Sequence, residues 1–255
     1  QYTDFLTVSY SSTDYIGHQY GPHAPELVDT YIKLDNEISE ILKFIDKKIG
    51  KENAIVFLTA DHGVVSVPNE LIKRKIPAGY FNGTRLTDEL NDFLSPIFGQ
   101  GDWVLKYSNQ QFFLNRDLID SLHIEHEKIQ QKCADYLIKK DAINNTFSAH
   151  QLHQNEYSNS LHSLIQNGFN QKRSGDVVIS LEPGWIEWSY PTGTTHGSHY
   201  SYDTHVPLIF WGKKIKNGLN DDRIYIKDIA PTISTLLGIS FPNGCTGNPI
   251  TKLTE

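Results

Sequence analysis

Ala54-Ile55-Val56-Phe57-Leu58-Thr59-Ala60-Asp61-His62-Gly63 is the stretch that decides the fold. Its first six residues are a continuous apolar run of strand length, which suits a parallel strand buried on both faces. A carboxylate and an imidazole then follow directly, and the segment turns at a glycine. In open α/β sheets the residues just past the strand ends line the ligand crevice. On a regular strand Asp61 and His62 would point to opposite faces. At a turn into Gly63 they can converge on one ion. An Asx turn with a surface histidine would read the same way, but charged residues straight after a buried strand favour function.

Upstream, Leu27, Tyr31, Leu34, Ile38, Ile41, Leu42 and Ile45 recur at spacings of three and four. That periodicity predicts an amphipathic helix over 26–48, with Lys47, Lys48 and then Gly50 as its stop. Residues 4–10 read as a short apolar strand, so strand, helix and strand together predict a βαβ unit. Downstream, 176–181 and 206–210 read as two further strands of the buried kind. A last helix starts near Asp228, runs through Ile229, Ile233, Leu236 and Leu237, and stops at Gly238. The region between is different. It holds helical stretches near 86–98 and 125–140 and strand candidates at 103–108, 110–114 and 143–149. Its segment 144–163 is rich in Asn, His, Ser and Gln and reads as loop or polar helix. The expected architecture is an α/β fold with a mostly parallel sheet flanked by helices. Residues 1–65 and 175–255 would form that metal-binding core, and 66–174 a small α+β insertion within it.

Composition narrows the function classes. A hydrophobic fraction of 38% with 21% charged residues suits a soluble globular protein. No apolar run reaches the length of about 18 residues that a membrane span needs. The formal net charge of −7 disfavours a nucleic-acid-binding surface. An acidic chain can still act on a small phosphorylated substrate if metal ions supply local positive charge. Cys133 and Cys245 fit no zinc-ribbon or redox spacing, and Cys133 falls on an apolar stripe with Ile129 and Leu137, as a core residue would.

Two more segments carry metal-binding chemistry. Ser12-Thr13-Asp14-Tyr15-Ile16-Gly17-His18, followed by Gly21-Pro22, places a carboxylate and an imidazole four apart, on one face if the segment is helical. That pair suits zinc, although a turn-capping Asp14 and a packed His18 account for this motif equally well by itself. Thr194-Thr195-His196-Gly197-Ser198 is followed by Tyr202-Asp203-Thr204-His205. One of His196 and His205 reads as a ligand; the other, with Asp203, reads as a partner that orients ligands by hydrogen bonds. His150-x-x-His153 and His123-x-x-His126 have helical spacing but sit in polar stretches without a third ligand, and read as surface residues. Trp185 and Trp188 read as core packing in preference to a substrate rim.

The ordered set Asp14-x-x-x-His18, Asp61-His62-Gly63 and His196-Gly197 resembles the ligand pattern of the alkaline phosphatase superfamily. It looks most like the zinc-dependent, threonine-nucleophile bacterial alkaline phosphatases, and is similar to type I phosphodiesterases and nucleotide pyrophosphatases. The resemblance implies two zinc ions, one held by Asp14, His18 and His196, the other by Asp61 and His62 with an aspartate and the nucleophile. The family places that aspartate and nucleophile well before the first motif, and only thirteen residues precede Asp14. The expectation is therefore an incomplete domain, the C-terminal portion of a larger enzyme, supplying most zinc ligands but no nucleophile and inactive alone. No signal peptide is visible, and the resemblance implies a periplasmic or secreted phosphate-monoester hydrolase. A phosphodiesterase or nucleotide pyrophosphatase, and a zinc-binding fragment without turnover, are the competing expectations.

Overall fold

The structure is a computed structural model that describes residues 5–158 and 160–253. The helices are α1 (Ser12–Tyr20), α2 (Pro25–Lys48), α3 (Pro68–Lys73), α4 (Gly83–Phe98), α5 (Arg116–Ser121), α6 (His126–Leu137), α7 (Ala149–Gln154), α8 (Leu161–Gly168), α9 (Ser201–Thr204) and α10 (Ile229–Leu237). The strands are β1 (Ile55–Thr59), β2 (Gly79–Tyr80), β3 (Val104–Ser108), β4 (Gln111–Leu114), β5 (Ile143–Ser148), β6 (Val177–Leu181), β7 (Trp185–Ile186) and β8 (Leu208–Gly212). By contact the chain divides into two compact units: residues up to 32 with 62–205, and 33–61 with 206 onward.

The first unit is built on a four-stranded antiparallel sheet in the order β3-β4-β6-β5. Leu86, Leu90 and Leu94 recur every fourth residue along α4, and Ile129, Cys133 and Leu137 along α6, so each helix carries one apolar stripe. Both stripes bury against Val104, Phe112, Ile143, Val177, Ile179 and Leu181 of the sheet. The other sheet face packs Phe147 and Val178 against Leu152 of α7 and Leu161 and Ile165 of α8. β6 is thus central and covered on both sides, which is why every one of its residues is buried. Burial of Cys133 in this core pushes its thiol up to about 12, with the nearby Asp176 adding to the shift. At the head of β6, buried Asp176 accepts bonds from the Leu114 main-chain N–H (2.9 Å) and from Arg116 Nε (2.9 Å).

In the second unit β1 pairs with β8, antiparallel, in a register that sets Phe57 opposite Phe210. α10 ends at Gly238, which adopts the left-handed conformation of a glycine stop. Asp228 stands just before α10 without capping it: its side chain accepts the main-chain N–H groups of Tyr225 (2.9 Å) and Asn248 (2.8 Å).

The α/β class is as expected, but strand direction departs from it. The runs 54–59 and 206–210 pair antiparallel with each other, and 176–181 lies in the antiparallel sheet. The only parallel pair among the described residues is the short β2–β7. An apolar run reports burial on both faces, and a central antiparallel strand satisfies that as well as a parallel one does. Of the strand read at 4–10, residue 4 lies outside the described residues and 5–10 form no strand. Phe5, Leu6 and Val8 are exposed there. Apolar composition makes a strand only where a neighbour supplies the ladder bonds, so the βαβ unit does not form from these residues. The polar segment 144–163 resolves into β5, α7 and the start of α8. No described helix is long and apolar enough to cross a membrane.

Candidate metal centre

α1 puts Asp14 in its first turn and His18 in its last. One helical turn apart, they meet on one face, with Asp14 Oδ1 3.3 Å from His18 Nε2. Two more imidazoles converge on the same carboxylate oxygen: His62 Nε2 and His196 Nε2 each lie 3.8 Å from Asp14 Oδ1. The rings of His62 and His196 stack at 3.4 Å between centroids. Asp14, His18 and His196 offer ligand atoms that all lie within 4.8 Å of one another.

Close backbone approaches hold these side chains. Gly193 has φ +81°, and a Cβ there would sit 2.1 Å from the His18 carbonyl oxygen. That contact lets the next residue dock on α1, where the Thr194 N–H donates to His18 O (3.0 Å). Thr194 is fully buried and its hydroxyl donates to Val65 O (2.8 Å). Gly63 is needed for a similar reason. Its N–H donates to Asp203 O (2.7 Å), and a Cβ would meet Tyr202 O at 2.1 Å. Asp203 is buried, and its Oδ2 accepts the N–H groups of Gly197 (3.0 Å) and Ser198 (2.7 Å). One residue therefore ties the turn after His62 to the loop that carries His196.

The protonation pattern fits a cation. His18 Nδ1 lies 2.8 Å from Thr194 O, and His62 Nδ1 lies 2.9 Å from Gly63 O. A carbonyl oxygen can only accept, so each Nδ1 carries the proton and a neutral ring presents a bare Nε2 lone pair. Those nitrogens face a carboxylate oxygen, and one carboxylate with imidazoles gathered at this range is a donor set that suits a metal cation such as zinc. His196 is held below the usual histidine range, first by burial and then by His62 and His18, against the opposing pull of Asp14 and Asp203. The lowering favours the neutral ring, whose lone pair a metal can take.

Of the residues singled out from sequence, Asp14, His18, His62 and His196 come together, and Asp203 anchors their loops. Asp61 is exposed at the end of β1, next to His62 in the chain. His205 is exposed, and its main-chain N–H donates to Ser201 O (2.9 Å). The surface reading of the other histidines agrees with their pairing: His126 with Asp120 (2.7 Å) and His150 with Glu127 (3.4 Å). Three participants were not singled out for these roles. Trp188 stacks on the His18 ring (5.6 Å, 11° between planes). Thr194 supplies the carbonyl that orients His18. His199 packs on Tyr200 (4.0 Å), and burial lowers its pKa against the pull of Asp203. Thr194 adjoins a recognisable motif, but nothing in the sequence marks Trp188 as a ring partner of a residue so far upstream.

Residues 1–203 match the family described as type I phosphodiesterase / nucleotide pyrophosphatase. The chain belongs to this family. It is 40% identical over 256 residues to the alkaline phosphatase PhoV of Synechococcus elongatus, covering 98% of this chain and 45% of that protein. It is also 40% identical over 256 residues to a Myroides odoratus protein named calcium-transporting ATPase, across 100% of this chain and 47% of that one. The crystal structure of wild-type alkaline phosphatase PafA superimposes with a TM-score of 0.87 at 35% identity, over 96% of this chain and 46% of that chain. The chain thus spans less than half the length of these relatives, and its α/β fold is that of part of the PafA structure.

Proposed function

We propose that this chain supplies most of the metal ligands of a two-zinc hydrolase of phosphate monoesters, an alkaline phosphatase. The observation that carries the reading is the convergence of three imidazole Nε2 atoms on Asp14 Oδ1. Asp14, His18 and His196 would hold one zinc. Asp61 and His62 would contribute to the second, completed by an aspartate and a nucleophile from polypeptide outside this chain. When bound, a metal pair of this kind activates the nucleophile and offsets charge on the leaving oxygen of an in-line phosphoryl displacement.

The residues of this chain act by positioning. The carbonyls of Thr194 and Gly63 hold His18 and His62 in the tautomer that frees Nε2. Asp203 holds the His196 loop through two main-chain N–H groups, and His205 is a further candidate orienting residue. Segment 66–174 would be an insertion on this metal-binding core. The protein would work outside the cytoplasm, in the periplasm or secreted, on small phosphorylated substrates, without a nucleic-acid-binding surface.

The family description favours one second reading, a phosphodiesterase or nucleotide pyrophosphatase; the name of the Myroides relative fits hydrolysis of ATP by the same phosphoryl chemistry. The test is hydrolysis of an aryl phosphate monoester and the matching diester at mildly alkaline pH, with zinc and with a chelator. It is run on this chain and on a full-length enzyme containing it. Zinc-dependent turnover by the full-length enzyme, monoester faster, with none by this chain, is the expected result. A faster diester establishes the second reading. Zinc binding without turnover by either leaves a zinc-binding module.

A further inference from the structure

Beside the imidazole cluster lies a cavity of about 540 Å³, inside the range of about 300–1,000 Å³ typical of small-molecule sites. Residues 195–198, His196 among them, line part of it, and Leu164, Phe169, Trp185 and Glu187 line another part. Two carboxylates lie in its lining. Glu187 is half-buried; its carboxylate accepts from the Tyr107 hydroxyl and lies by the Gln110 main-chain N–H. A carboxylate has about four lone-pair sites, so Glu187 keeps acceptor capacity. Asp203 lines the same cavity and is 4% exposed. Its Oδ2 is taken by Gly197 and Ser198, while Oδ1 is buried without a hydrogen-bond partner among the described residues. That oxygen has no accessible surface, so the acceptor left for a ligand in the cavity is Glu187.

The lining also excludes classes of ligand. No described lysine or arginine faces the cavity, so two carboxylates would repel a second phosphate or another anionic group. Trp185, Phe169 and Leu164 offer apolar and aromatic surface for a carbon skeleton. The pairing of carboxylate acceptors with such surface suits a neutral molecule rich in hydroxyls.

We propose that this cavity is the subsite for the alcohol portion of the phosphate ester, that it takes a polyhydroxylated alcohol of sugar size, and that Glu187 determines that specificity. The proposal rests on the phosphate-ester hydrolase reading given above. Glu187 accepts a hydroxyl of the sugar, and the aromatic wall covers its carbon face. Phenyl phosphate, which has no hydroxyl to offer, gains nothing from Glu187.

The test compares kcat/KM for a hexose phosphate and for phenyl phosphate in the zinc-loaded full-length enzyme, as wild type, Glu187→Gln and Glu187→Leu. The ratio of hexose to phenyl activity is expected to fall about tenfold or more in Glu187→Leu, the effect of leaving a polar partner unmatched. Glu187→Gln, which keeps an acceptor, should fall in between. A ratio within about twofold of wild type in both variants would overturn the proposal, as would equal losses on both substrates. Wild-type enzyme that hydrolyses phenyl phosphate but not hexose phosphate overturns the subsite alone. Hydrolysis of neither ester overturns the phosphate-ester reading and the subsite with it.

Discussion

Replacing Asp203 with alanine tests how the centre is held together, without any assumption about what it binds. The carboxylate accepts two main-chain N–H bonds, from Gly197 at 3.0 Å and Ser198 at 2.7 Å, at a site 4% exposed. A hydrogen bond to a charged group contributes about 1.5–3 kcal/mol. Against that loss stands the removal of a buried carboxylate whose Oδ1 has no donor among the described residues, a relief of about 1–3 kcal/mol. Two such bonds are worth about 3–6 kcal/mol, so the net destabilisation centres on about 2–3 kcal/mol. For a chain of this size each kcal/mol lowers Tm by about 2–4 °C, so a fall on the order of 10 °C is expected. Urea unfolding of Asp203→Ala and wild type in excess chelator measures the loss without a metal contribution. Asp203→Asn keeps one acceptor oxygen and should lose less. A second readout is zinc affinity by competition with a chromophoric chelator, expected to fall about 10- to 100-fold as the loop carrying His196 loosens. Stability within about 0.5 kcal/mol of wild type, a change of the size surface substitutions give, would refute the claim that Asp203 anchors this loop.

Other perturbations separate the parts of the structure. His196→Ala in the full-length enzyme should remove binding at one zinc site, measured as metal retained per chain; two retained zinc ions would take His196 off the ligand set. Gly193→Ala places a Cβ 2.1 Å from the His18 carbonyl at φ +81°. It should cost more than about 1 kcal/mol in urea unfolding and weaken zinc binding, because Thr194 must leave α1. Leu90→Ala empties a fully buried position of the α4 stripe and should cost about 2–5 kcal/mol while leaving zinc affinity unaltered. Burial raises the Glu187 carboxyl above its ordinary value of 4.5, against the lowering effect of Tyr107. A raised pKa means that its stabilising share is full below the unfolded value and is lost as pH rises through the folded one. The stability of wild type relative to Glu187→Gln should therefore decline as pH rises above the ordinary value of 4.5, measured by thermal unfolding; a flat or rising difference contradicts the burial argument.

Local pattern carried far in this chain. The four-residue spacing of Asp14 and His18 placed both on one face of α1, because helical periodicity needs only neighbours in sequence. The same holds for the stripes of α4 and α6, for the Gly238 stop of α10, and for the hairpin strands β3 and β4. Apolar composition also identified β1, β6 and β8 as strands. It did not assign their direction, because covering both faces of a strand produces the same run whether the neighbours lie parallel or antiparallel. Residues 5–10 show the reverse case, apolar enough for a strand but without a ladder partner among the described residues.

The candidate centre divides in the same way. The carboxylate and imidazole identities, and their order along the chain, were written in the sequence, since metal chemistry selects side chains by donor type. What tertiary structure alone decided was convergence. It brought His62 and His196 onto one oxygen of Asp14, turned the Thr194 and Gly63 carbonyls onto the Nδ1 atoms, and made Asp203 an anchor of the loops. These contacts join residues as far apart as 18 and 194. No local spacing encodes them, because they depend on close backbone approaches at Gly63 and Gly193 that exist only once the unit has packed.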